Sequence, residues 1–169
     1  MGHSVRMRRG FTLVEAAICA VVVALMGVAA GSAAAGAAKA RESLRTRAQA
    51  SAAAEAILAE TLGKAFDDPQ SPNAVAGLDA GETTADRSTL DDVDDFDALK
   101  LAPIKDIHGA QLAPGTMYAT IDVNSIDPIT LARSATRTGL ALVRVRIFDR
   151  EHVVIDRSAY RARNAEGTR

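Results

Sequence analysis

The chain has 169 residues and a formal net charge of −1, with 48% hydrophobic and 24% charged residues. That balance excludes a general nucleic-acid binder, and the length leaves room for one small globular domain beside any membrane segment. A single cysteine, Cys19, excludes an intrachain disulfide framework.

In chain order, a short basic leader with Arg6, Arg8 and Arg9 comes first. Gly10-Phe11-Thr12-Leu13-Val14-Glu15 follows, opening an uncharged run from Ala16 to Ala38. The run is long enough to span a bilayer, and the lone acid at its mouth is costly there unless something pairs with it. A secretory signal peptide has a shorter apolar core, although Ser32 to Ala38 does offer small-residue cleavage sites. A lipoprotein anchor on Cys19 fails because Ile18 is bulky and the apolar run follows the cysteine. An ordinary single-span anchor accounts for the apolar run but not for Gly10-Phe11 or Glu15.

The order of basic leader, Gly10-Phe11, Glu15 and apolar run resembles the prepilin signal of type IV pilins and type II secretion pseudopilins. The resemblance implies cleavage between Gly10 and Phe11 by a prepilin peptidase and N-methylation of Phe11. It makes Glu15 the fifth mature residue, pairing with the Phe11 amine of a neighbouring subunit. It implies an N-terminus at the cytoplasmic face of the inner membrane, an assembly platform there as partner, and a C-terminal domain that is periplasmic or extracellular. Charge alone leaves the orientation nearly balanced, because Lys39, Arg41, Arg45 and Arg47 follow the span against only Glu42.

From Phe11 to Phe66 there is no proline and alanine dominates, which predicts one long helix. Its first part, 11–38, is apolar all round. Its continuation, 39–66, is expected to be amphipathic, with Leu44, Ala48, Ile57, Leu58, Leu62 and Phe66 on one face. Arg41, Arg45, Arg47 and Glu60 are expected off that face. Gly27 and Gly31 form a small-xxx-small pair that permits close helix contact. Asp67-Asp68-Pro69 is expected to stop the helix.

Residues 67–115 read as a loop region holding the densest charge cluster, Asp91, Asp92, Asp94, Asp95 and Asp97. Five carboxylates suit a hard cation such as calcium, but the spacing is not that of an EF-hand. A solvated acidic loop is the simpler expectation. In 116–169 the period changes to two: Ala119, Ile121 and Val123 alternate with polar residues, as do Val143, Val145 and Ile147. Asp149-Arg150-Glu151 reads as a tight hairpin before Val153-Val154-Ile155. The expected fold is α+β: a long N-terminal helix, its first half membrane-spanning, packed on a three- or four-stranded antiparallel sheet. Pilins share that layout.

Lys64-Ala65-Phe66-Asp67-Asp68-Pro69, Asp86-Arg87-Ser88, Asp91-Asp92-Val93-Asp94-Asp95-Phe96, Tyr118-Ala119-Thr120 and Tyr160-Arg161-Ala162-Arg163 follow the same order as in the D-type minor pilins of the mannose-sensitive haemagglutinin (MSHA) pilus, which the chain resembles. It departs from them at Asp97-Ala98, where that group commonly has a glycine. The function implied is assembly as a minor pilin or pseudopilin, without catalysis or a cofactor. A tip-located adhesion subunit and a secreted protein with an ordinary signal peptide are the alternatives. His3, His108 and His152 are the only histidines, and no nucleophile elbow, metal-ligand spacing or phosphate-binding glycine loop accompanies them.

Overall fold

The computed structural model describes residues 12–69, 77–79 and 81–163. The chain forms two compact units, Met1–Ser43 and Leu44–Arg169.

Helix α1 runs from Leu13 to Leu62 and supplies the described part of the first unit. Leu13, Val14, Ile18, Val21, Val22, Val23, Leu25, Met26 and Val28 are all exposed along it. The apolar stretch is long enough to cross a membrane, and none of it is buried within the chain. Alanine-rich sequence without proline explains the unbroken helix.

The second unit is an α+β domain. Its antiparallel sheet has four strands in the order β1 (Lys100–Leu101), β2 (Met117–Ser125), β3 (Leu140–Asp149) and β4 (His152–Ala162). In β2 and β3 the inward residues Met117, Ala119, Ile121, Val143, Val145 and Ile147 are buried, as the period-two pattern requires. β3 and β4 meet through Arg150 and Glu151, with Arg150 at φ 57°, the left-handed geometry that a two-residue hairpin demands. The consecutive apolar residues Val153-Val154-Ile155 do not alternate because the register shifts there. Ile147 faces Ile155 and Phe148 faces Val153, so Val154 is the extra residue of a bulge. On the outer face Tyr118 and Phe148 stack at 4.8 Å between ring centroids.

The C-terminal part of α1 shares the core of the sheet through a stripe that keeps Ile57 of the expected face but is otherwise made of small residues. Ala50, Ala53, Ala54, Ile57 and Thr61 are buried. Leu44 and Ala48 are exposed, and Leu58 and Leu62 lie at the margin of the core. Small side chains occupy the buried stripe because they let backbone elements approach closely, a property that hydrophobic scoring undervalues in alanine. Glu60 is not solvated either: its carboxylate receives Nε and Nη2 of Arg87, each at 2.9 Å.

The helix also ends before Phe66. The Gly63 N–H bonds to both Ala59 and Glu60 carbonyls, and the chain then turns to pair Ala65 with Asp92 in a parallel bridge. The segment read as a loop, 67–115, holds a 3₁₀ turn (Asp94–Phe96) and strand β1. It also contributes Leu90, Val93, Phe96, Leu99, Leu101 and Ile104 to the core.

Candidate functional site

The start of α1 is built by a reciprocal cap. Glu15 Oε2 accepts the Thr12 N–H and the Thr12 hydroxyl, each at 2.9 Å, while the Glu15 N–H donates to Thr12 Oγ1 at 3.3 Å. This is a capping box, Thr-x-x-Glu, which satisfies donors that the first helical turn leaves open. Glu15 thus has a local structural task besides the expected pairing between subunits. The box was legible as a four-residue pattern in the sequence. Gly10 and Phe11, the expected cleavage and methylation residues, lie outside the described residues.

The second candidate is the acidic turn. Its five aspartates were considered together as ligands, and the fold sends them to separate tasks. Asp92 Oδ1 accepts the backbone N–H groups of Asp94 and Asp95 at 2.9 and 3.1 Å. Asp95 Oδ2 accepts those of Asp91 and Asp92, both at 3.0 Å. Asp92 and Asp95 are therefore buried and saturate the backbone of their own turn, with Val93 and Phe96 in the core between them. The expectation of a solvated loop fails for this reason: short carboxylates cap a tight turn, so the acids accompany a buried apolar pair.

Asp94 reaches Arg137 at 2.7 Å and the Gly77 N–H at 3.1 Å. Asp97 accepts the Val123 N–H at 2.8 Å, tying the turn to β2. Only Asp91 and Asp95 remain grouped, and they are joined by Glu82, with one oxygen of each carboxylate within 4.8 Å of the others. Three carboxylates are the donor type of a hard cation. Glu82 was not singled out in the sequence because it lies nine residues upstream of Asp91 in a glycine- and threonine-rich stretch with no periodicity.

Crowding of like charges shows in the proton affinities. Burial, then the Asp94 charge, pushes the Asp92 carboxyl up to about 7. Burial lifts Glu82 above the ordinary carboxylate range, and a hydrogen bond with Asp95 adds to it. Asp79 is raised chiefly by its hydrogen bond with Asp68. Arg137 counters this crowding, lying 2.7 Å from Asp94, 3.6 Å from Asp67 and 3.9 Å from Asp92. Arg163 also pairs with Asp67, at 2.6 Å.

Beside the turn lies an open groove of about 660 Å³, lined by Phe66, Asp94, Asp97, Lys100, Asn124 and Arg137 among others. His108 and His152 are exposed and stand apart from it. No family model, curated protein or solved structure matches the chain.

Proposed function

We propose that the chain is a pilin-type filament subunit, a minor pilin or pseudopilin. In this reading it is made as a single-span precursor, cut between Gly10 and Phe11, N-methylated at Phe11, and assembled through α1. The observation that carries the reading is the wholly exposed apolar stretch of α1, opened by Thr12 and Glu15 directly after Gly10-Phe11. In a bilayer those side chains are covered by lipid. In a filament they are covered by equivalent helices, and Glu15 then neutralises the Phe11 amine of a neighbouring copy. An unpaired carboxylate in such a core is strongly unfavourable, so the pair sets the register between copies. The partners are a prepilin peptidase, other subunits and an inner-membrane assembly platform. The α+β domain lies beyond the membrane and carries no chemistry of its own.

Mass spectrometry of the protein recovered from cells tests this: the mature terminus is expected at an N-methylated Phe11. A mature terminus between Ser32 and Lys39 overturns the reading in favour of a secretory signal.

A second reading, a subunit at the filament tip that binds a surface, is favoured by the groove beside Asp97, Lys100 and Arg137. Abundance separates the two. A shaft subunit is plentiful in sheared filaments, whereas a tip subunit is scarce.

A further inference from the structure

Five arginines beyond α1 hold carboxylates: Arg87 pairs with Glu60, Arg137 with Asp94, Arg144 with Asp156, Arg146 with Asp122, and Arg163 with Asp67. Four cations on α1 are different. Lys39, Arg41, Arg45 and Arg47 are exposed, and among the described residues none has a side-chain ion pair or hydrogen bond. They fall within nine residues, directly after Ala38, the last residue of the uncharged run, with Glu42 as the only acid among them.

Helical phase decides what kind of partner suits them. At about 100° per residue the four positions fan out around α1 and leave no empty sector wider than about 120°. A single protein surface meets one side of a helix and leaves half of such a ring unanswered, and equivalent copies that surround the helix bring the same four cations, like charge against like charge. A layer of lipid headgroups surrounds the helix and answers all of it. Length agrees: from Leu13 to Ala38 the helix rises about 39 Å, longer than the ~30 Å hydrocarbon core, so Lys39 falls at headgroup depth. We propose that Lys39, Arg41, Arg45 and Arg47 form a collar that binds the phosphates of anionic lipids where α1 leaves the bilayer. This rests on the membrane-anchored reading of α1. The collar sets the depth of the precursor, and its contacts must be broken before the helix can leave the membrane.

The test uses the full chain with Ser43→Trp, an exposed position within the collar; the chain has no tryptophan of its own. The protein is reconstituted into vesicles of phosphatidylcholine alone, or with about one-third phosphatidylglycerol. Acrylamide quenching reads exposure of the collar, and resistance to carbonate extraction reads insertion separately. In anionic vesicles quenching should fall at least about threefold, since each cation near such a surface is worth about fivefold in affinity. Half-molar salt should abolish the difference without any further mutation. Replacing all four cations with glutamine should abolish it too, with insertion unchanged. Equal quenching in both vesicle types, with the protein inserted, overturns the collar. Protection that rises with protein density rather than with anionic lipid assigns the residues to a second copy and also overturns it. Extraction of the protein by carbonate from both vesicle types instead overturns the anchored reading on which the collar rests.

Discussion

Glu15 has a local role at the helix start and a proposed role between copies, and three substitutions tell them apart. Its local role is the capping box, in which its carboxylate accepts two hydrogen bonds from Thr12. Its proposed role between copies is to neutralise the Phe11 amine of a neighbour. Glu15→Gln keeps a side-chain oxygen of the same reach, and glutamine serves in a capping box as glutamate does. The helix start should therefore survive, while the charge is gone. Glu15→Leu loses both, and loss of such a cap costs about 1 kcal/mol. Leaving the neighbour's ammonium unpaired in an apolar core costs about 3–5 kcal/mol, which is roughly a hundredfold to several thousandfold in incorporation. Glutamine and leucine should thus be nearly equally excluded from filaments, with leucine lower by only about fivefold more. Glu15→Asp keeps the charge on a shorter side chain and should fall between them and the wild type. The assay is the ratio of filament-associated to membrane-retained protein, with leader processing and insertion checked on the same samples. Both should remain intact, since removing a charge lightens insertion. If Glu15→Gln assembles like the wild type while Glu15→Leu is only mildly impaired, the acid is a cap and the pairing argument is wrong.

Four further tests concern the α+β domain. Asp92 is protonated more readily folded than unfolded, its carboxyl rising from 3.8 to about 7. Its contribution to stability is therefore full below about pH 4 and lost as pH rises to about 7. Asp92→Asn, which keeps the oxygen that caps Asp94 and Asp95, should gain in melting temperature over the wild type as pH climbs from 4 to 8; a pH-independent difference between the two refutes the assignment. Arg87 is 9% exposed and also donates to the Lys105 carbonyl at 2.8 Å, so Arg87→Met leaves a largely enclosed Glu60, 14% exposed, without its partner. Chemical denaturation should show a loss of about 3–5 kcal/mol, much of it recovered by adding Glu60→Gln; additive losses in the double variant contradict the pairing. Ile57→Ala, at a fully buried position of the α1 stripe, should cost about 2–5 kcal/mol, whereas Leu44→Ala should change stability by less than about 0.5 kcal/mol. Equal losses at the two positions would mean that the helix presents the face first expected from its large side chains. Finally, a chain beginning at Lys39 should run as a soluble monomer in size-exclusion chromatography, because the exposed apolar residues up to Val28 are gone. Aggregation of that fragment would show that the remaining helix still exposes an apolar surface.

Features set by nearby residues were legible without the fold. The alanine-rich, proline-free run makes a helix whatever surrounds it, and the length and composition of the uncharged stretch are enough to mark a helix able to cross a membrane. Alternation in Ala119, Ile121 and Val123, and in Val143, Val145 and Ile147, marks strands because the pleat has the same period. The hairpin at Arg150 and Glu151 is equally local. The tertiary structure decided what depends on meeting a partner far along the chain. Alanine scores as weakly apolar, so the sequence reading followed the large side chains Leu44, Ile57, Leu58 and Leu62 and passed over Ala50, Ala53 and Ala54; only close packing against the sheet makes small residues the right ones. The aspartates looked solvated because isolated carboxylates are. Two of them are buried once the turn from Asp91 to Asp95 supplies backbone donors, and Leu90, Val93, Phe96 and Leu99 enter the core beside them. Their three-residue spacing is the period of a 3₁₀ turn, but a run with five aspartates among so few residues reads first as a charged loop. Glu60 with Arg87, and Asp94 with Arg137, are separated by 27 and 43 residues. A charge pair at such distances has no signature in sequence, since its geometry exists only after the chain has folded.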